Sequence, residues 1–158
     1  MKYLCIVALT IVGLAVGGCA GPSSDSIAQA AKEHFVLYPI GKVVKQGNKT
    51  MIVLEKKYQP GLLGLDKLSH VTVVYWFDRN DTPEKRAILQ VHPRGDRDNP
   101  LTGVFATHSP VRPNLIAISK CSIVSIKQNV IEVKEIDAFD GSPVLDLKGD
   151  FFRPGGPG

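Results

Sequence analysis

Two polar, turn-rich segments carry the side chains best suited to chemistry. Residues 108–114 read His-Ser-Pro-Val-Arg-Pro-Asn, and residues 137–143 read Asp-Ala-Phe-Asp-Gly-Ser-Pro. In the first, the Arg112 guanidinium stands beside the rigid Pro113, an arrangement suited to holding a carboxylate or phosphate through paired hydrogen bonds. Asn114 is equally suited to bonding nearby backbone. In the second, Asp137 and Asp140 surround an Asp-Gly reverse turn. Their carboxylates can bind hydroxyls or an amine, or can stabilise the turn itself. Asp146 lies among Val144, Leu145 and Leu147. If buried it needs a partner, and Arg112 is the candidate.

Other chemistries find less support. His108 next to Ser109 invites a hydrolase reading, but no Gly-x-Ser-x-Gly elbow is present. His70, His92 and His108 are dispersed, and Cys5, Cys19 and Cys121 do not have zinc-ligand spacing. Cys121 sits in an apolar run and reads as a small buried hydrophobe. Neither Gly-x-Gly-x-x-Gly nor a phosphate-binding loop occurs. Arg79, Lys85, Arg86, Arg94 and Arg97 cluster near Tyr75 and Trp76, interleaved with Asp78, Asp81, Glu84, Asp96 and Asp98. With a net charge of +4, that cluster fits either a nucleic-acid face or a set of solvated loops.

The elements that position these loops read as strands. Residues 71–77, Val-Thr-Val-Val-Tyr-Trp-Phe, form the clearest one, and near-continuous apolar character implies burial on both faces or a barrel strand beside another layer. Residues 35–44 and 50–54 flank the turn signal Gln46-Gly47-Asn48. Further strands are expected over 87–92, 103–107, 115–126, 130–136 and 144–148. Leu62, Leu63 and Leu65 are expected to plug one end of the core. Ile123, Ile126, Val130, Ile131, Val133 and Ile136 should supply its interior, and Phe151 and Phe152 should close one end. About eight strands without a long amphipathic helix fit an all-β, small β-barrel-like domain or a sandwich. The lack of strand–helix alternation disfavours a doubly wound nucleotide fold.

The N-terminus reads differently. Lys2, an apolar run over 3–16 and Gly17-Gly18-Cys19 resemble a lipoprotein signal peptide. Such a segment is short for a membrane span, which needs about 20 residues. This reading divides the chain into a signal peptide (1–18), a linker with a short helix (19–34), a barrel domain (35–150) and a flexible tail (151–158). It makes Cys19 a lipidation site and membrane lipid a partner. It places the protein in the cell envelope, at the outer membrane, with a cytoplasmic location the alternative.

The chain between Phe35 and Asp150 resembles the TsaA-like family, also named for the tRNA N6-threonylcarbamoyladenosine-37 methyltransferase. The resemblance runs through Pro39-Ile40-Gly41-Lys42-Val43, Val74-Tyr75-Trp76-Phe77 and His92-Pro93-Arg94-Gly95. It is most specific over 109–114 and 137–146. It implies a small barrel that often dimerises, uses S-adenosyl-L-methionine and methylates a modified adenosine of tRNA. It also implies a cofactor site formed by Asp78, Arg79, His108, Arg112, Ile118, Asp137, Ala138, Phe139, Asp140 and Gly141. The sequence departs from the family pattern in three places. His108 stands where that pattern has Arg, Leu115-Ile116-Ala117 where it has Pro-Ile-Gly, and Gly149-Asp150 where it has Pro-Tyr. Histidine is shorter than arginine, and Ala117 adds a methyl where glycine leaves room. Two functions remain open at this stage. One is the family's methyl transfer to tRNA; the other is an exported, membrane-anchored ligand-binding or structural lipoprotein that has lost it.

Overall fold

The computed structural model describes residues 35–149. The barrel belongs to the compact unit Leu37–Gly158. The expected signal peptide, Cys19 lipidation site, helical linker and Phe151-Phe152 closure all fall outside the described residues.

Eight strands occur among the described residues: β1 (Gly41–Gln46), β2 (Lys49–Leu54), β3 (His70–Trp76), β4 (Gln90–Val91), β5 (Thr102–Gly103), β6 (Ile116–Lys127), β7 (Val130–Lys134) and β8 (Pro143–Gly149). Six close a barrel in the order β1-β2-β7-β6-β3-β8, while β4 and β5 form a separate two-stranded ribbon. The all-β expectation needs correction to a mixed domain. The segment 56–67 folds into two 3-10 turns, and one short helix, α1 (Pro83–Arg86), begins after the Thr82 cap. Prolines at 60, 83 and 93 preset the φ angle of helical turns and cannot donate to a sheet ladder, so these polar segments wind instead of extending. The strands expected over 87–92 and 103–107 are two residues each, Gln90–Val91 and Thr102–Gly103, and Val104–Ala106 winds into a 3-10 turn.

Period-two alternation builds the interior. Val71, Val73 and Tyr75 of β3 point inward and are buried, whereas His70, Thr72, Val74 and Trp76 are half-covered on the outside. Of the two readings of β3, burial on both faces gives way to the barrel strand, with one face in the core. Val43, Ile52, Cys121, Ile131, Val133 and Val144 join the same core from the other five strands, counting Ala117 with Cys121 on β6. Each such aliphatic side chain contributes about 1.5–3 kcal/mol on burial. Burial pushes the Cys121 thiol up to about 11, and the negative charge of Glu135 adds to this. The unfolded thiol ionises first, so this contribution is intact below the ordinary thiol range and fades as pH rises towards about 11. Leu62 and Leu65 plug the core as expected, but Leu63 between them is 95% exposed. Ile123 and Ile126 pack only partly against the core.

Turns fix the register. Gly47 at φ +58 allows the two-residue connection that pairs Gln46 with Lys49. The barrel is most weakly joined between β1 and β8, which pair only at Gly41↔Val144 and Lys42↔Pro143. Gly41 also faces Leu54 of β2. A β-carbon there would meet the Val53 carbonyl and come within 2.7 Å of the Leu54 α-carbon. Backbone cannot yield as a side-chain end can. Gly41→Ala is therefore expected to lose about 2 kcal/mol in urea unfolding. Gly61→Ala, where nothing lies within 4 Å, should change stability by less than about 0.5 kcal/mol. Equal midpoints for the two variants would contradict this account of the seam.

Candidate functional site

One end of the barrel opens into a cleft of about 750 Å³. Its floor comes from the inward ends of β3 and β6, through Tyr75, Ala117 and Ser119. Its walls come from the segment 105–114 and from Asp137. The cleft thus brings together four of the residues singled out from sequence: His108, Arg112, Ile118 and Asp137. His108 and Asp137 are exposed, and Arg112 is half-buried.

The Tyr75 hydroxyl ties the two sides of the cleft. It donates to the Asp137 carbonyl at 2.7 Å and lies 3.3 Å from the Ser119 hydroxyl. Burial raises the Tyr75 pKa above the ordinary phenol range. The Phe77 ring meets Tyr75 edge to face, with centroids 5.7 Å apart. A bulge supports this corner. Between Val74 and Tyr75 the β3–β8 register moves from Asp146 to Val144, leaving Leu145 unmatched. The extra residue bends the strand end towards the loops.

The wall carrying Arg112 is held from several sides. Thr107 Oγ1 accepts from the Ser109 amide, and Ser109 Oγ accepts from the Val111 amide, so the segment is a chain of side-chain-capped turns. Arg112 Nη1 donates to the Thr107 carbonyl at a long 3.5 Å. Among the described residues Arg112 forms no ion pair. The expected Arg112–Asp146 pair is absent, because Asp146 is exposed on β8 and pairs with Lys148 at 2.9 Å. Leu115 closes the segment in the left-handed region at φ +52 while fully buried. Its carbonyl accepts from the Phe77 amide at 2.9 Å. Arg86 reaches in from outside the cleft and donates to the Pro113 carbonyl at 2.6 Å.

The remaining sequence-selected residues divide between two other places. Asp78, Arg79, Ala138 and Phe139 surround a shallow depression that shares Tyr75, Phe77 and Asp137 with the cleft. Arg79 lies 4.0 Å from the centre of the Phe139 ring, and Ser142 Oγ donates to Asp78 at 3.2 Å. Asp140 and Gly141 instead clasp β1. Asp140 accepts from the Lys45 amide, and the Gly141 amide donates to the Val43 carbonyl, each at 2.8 Å, with Gly141 at φ +86. Sequence reasoning passed over Tyr75, Phe105 and Ser119 as site residues. The available signal was the alternation of β3, which places a hydroxyl inward after Val71 and Val73.

Comparisons with known proteins can be set against this geometry. Residues 29–152 match the family model described as the tRNA-methyltransferase O N-terminal domain. The chain belongs to this family. A probable S-adenosyl-L-methionine-binding protein of Methanocaldococcus jannaschii is 45% identical over 114 residues, covering 72% of this chain and 90% of that protein. One of Pyrococcus horikoshii is 42% identical over 116 residues, covering 73% and 82%. The crystal structure of TrmO from Pseudomonas aeruginosa shares the fold, with a TM-score of 0.57 at 22% identity. It aligns with 75% of this chain, which spans only 57% of the solved one.

These relatives correct the envelope localisation anticipated from the N-terminus. The family is named for a tRNA methyltransferase, and the matched archaeal proteins are named for binding S-adenosyl-L-methionine, not as envelope lipoproteins. No helix among the described residues is long and apolar enough to cross a membrane. The alternative of an exported structural lipoprotein rested on that placement.

Removing the Tyr75 hydroxyl tests how the cleft is built. Tyr75→Phe leaves the ring in the core and the Asp137 carbonyl without its donor. Urea unfolding is expected to show a loss of about 1 kcal/mol. No loss would mean that water or Ser119 serves that carbonyl equally well.

Proposed function

We propose that the cleft binds S-adenosyl-L-methionine and that the protein methylates an amine nitrogen of a tRNA base. The observation that carries this reading is the presence in one cleft of a cation that forms no ion pair among the described residues, Arg112, and an exposed carboxylate, Asp137. An amino-acid end with both charges fits those two groups, with Arg112 holding its carboxylate and Asp137 its ammonium or a ribose hydroxyl. Tyr75 and Phe77 offer the apolar surface that a purine ring needs. When bound, the cofactor supplies an electrophilic methyl carried on a sulfonium.

The protein's part is placement and proton removal. Holding the acceptor nitrogen in line with the methyl supplies much of the rate. As that nitrogen gains a methyl it releases a proton, and Asp137 and His108 are the cleft side chains able to accept one. The depression lined by Asp78, Arg79, Ala138 and Phe139 adjoins Asp137 and extends the site towards the substrate side. In this reading Asp140 and Gly141 serve the cofactor only by fixing the turn that presents Asp137. The family's name supports tRNA as the partner, with Arg79, Lys85, Arg94 and Arg97 available for phosphates.

Calorimetric titration of the protein with S-adenosyl-L-methionine tests this reading. Micromolar binding is expected, and Arg112→Ala should weaken it about tenfold while the domain stays folded. Transfer of labelled methyl to tRNA lacking the modification should follow. An unchanged dissociation constant in Arg112→Ala would remove that residue from the site, and a folded wild type that takes up no cofactor would remove the whole reading.

A second copy of the chain is also proposed as a partner. Phe105, Ile116 and Ile118 border the cleft with 78%, 36% and 56% of their surfaces exposed, an apolar strip that self-association would cover. Sedimentation equilibrium is expected to give a dimer for the wild type and a monomer for Ile118→Lys. A wild-type monomer at the concentrations used for the titration would exclude this arrangement.

A further inference from the structure

We infer that Arg86, which lies outside the cleft lining, is a positioning residue for cofactor binding: it clamps the segment that presents Arg112. The inference rests on the S-adenosyl-L-methionine reading of the cleft and adds to it the part of the molecule that keeps the cleft wall in shape.

Arg86 ends α1, a short helix fixed at its start by Pro83 and by the Thr82 hydroxyl, which accepts from the Lys85 amide at 3.3 Å. From there the guanidinium is engaged on three sides. Nε donates to Asp81 Oδ1 at 2.8 Å, Nη1 donates to the Pro113 carbonyl at 2.6 Å, and one face lies 5.2 Å from the centre of the Trp76 ring. Asp81 is itself fixed by a second donor, the Trp76 indole nitrogen, at 3.3 Å. These contacts orient a planar fork whose one free direction is taken by the loop carbonyl. A lysine ammonium could satisfy Asp81 or Pro113 but has no planar fork with which to bridge both.

The clamped segment needs such support. Pro113 has no amide hydrogen to give, so its carbonyl is the backbone handle it offers. Two residues later, Leu115 holds a left-handed backbone at φ +52 with its side chain fully buried. A non-glycine residue keeps that conformation only where its surroundings over-determine it. Phe77 pins the Leu115 carbonyl and Arg86 pins that of Pro113. Between the two pins lies Asn114, and directly before them lies Arg112; both line the cleft. Release of the Pro113 pin frees Arg112 to leave the wall, although Arg86 touches nothing inside the cleft.

This arrangement also separates Arg86 from the basic residues around it. Its charge is spent inward on Asp81, Pro113 and Trp76, so it is expected to govern cofactor affinity and not phosphate contact.

A double-mutant cycle on S-adenosyl-L-methionine affinity, read by calorimetry on the full chain, tests the clamp. Arg86→Ala and Arg86→Lys are each expected to raise the dissociation constant about tenfold. In an Arg112→Ala background the further change on Arg86→Ala should be less than about twofold, because the two residues act through one another. Hydrogen exchange without cofactor gives an independent readout. In Arg86→Lys, the amides of Arg112 and of residues 114–116 should exchange faster while those of β2 and β7 are unchanged. Wild-type affinity in a folded Arg86→Lys protein would overturn the proposal. So would a full tenfold loss in the Arg112→Ala background, which would mark a general loss of stability. A loss confined to tRNA binding would make Arg86 a phosphate contact instead. A wild type that binds no cofactor overturns the cofactor reading and with it the role of Arg86 in binding; the exchange data then report separately whether the clamp exists.

Discussion

The interior of this small barrel ends on a hydroxyl. β3 sends Val71, Val73 and Tyr75 inward in turn, and the third carries a polar group into the mouth of an otherwise apolar core. A buried hydroxyl left unmatched is costly, so a partner must come to it. That partner is the Asp137 carbonyl. The bond draws the chain beyond β7 over the barrel mouth and places the Asp137 carboxylate at the rim of the cleft. The neighbouring Phe77 ring packs on Tyr75 while its amide holds the Leu115 carbonyl, so the same corner also seats the opposite wall. Core packing, the turn after β7 and the Arg112 segment all meet at two consecutive inward positions of one strand end.

The weight of each polar contact follows from its exposure. The Arg86–Asp81 pair leaves 33% and 45% of its side chains exposed, and exposed pairs contribute little to stability. Asp81 is nonetheless held below the ordinary carboxylate range, first by its hydrogen bond from Arg86. As a depressed carboxylate, it gives its contribution above the ordinary range and loses it as pH falls through its lowered value. The pair therefore does more for the direction of the guanidinium than for the stability of the fold. Asp140 follows the same logic. It is exposed, and its acceptance of the Lys45 amide fixes the geometry of a turn whose stability comes from the apolar side chains on either side.

Much of the strand framework could be read from residue order, because alternation and Gly-centred turns are local signals. Gln46-Gly47-Asn48 marked its hairpin, and the runs that became β6, β7 and β8 were found within a residue or two. What could not be read depended on which side of a strand or turn each residue faces. Trp76 and Tyr75 are neighbours with similar chemistry, yet one lies over Arg86 outside the barrel and the other supports the cleft inside. Asp137 and Asp140 are equal candidates in sequence, but only three residues apart Asp137 lines the cleft and Asp140 bonds the Lys45 amide of β1. Leu63 was grouped with Leu62 and Leu65, and the turn at Gly64, φ +85, throws it into solvent. Leu115 looked like the first residue of a strand and instead takes a left-handed backbone. Each of these is set by tertiary placement, which local pattern does not encode.

Family membership and cleft geometry carry different parts of the functional argument. A shared fold admits many functions, so the match to the tRNA-methyltransferase domain establishes descent and leaves the chemistry to the residues. The residues supply what descent cannot. Arg112 and Asp137 line the same cleft; among the described residues Arg112 makes no ion pair and donates to the Thr107 carbonyl, and Asp137 is exposed. Both are placed by backbone contacts: Asp137 through the Tyr75 hydroxyl, and Arg112 through a segment fixed at Pro113 and Leu115. The proposed cofactor, with an amino-acid end that carries both charges, would contact both groups.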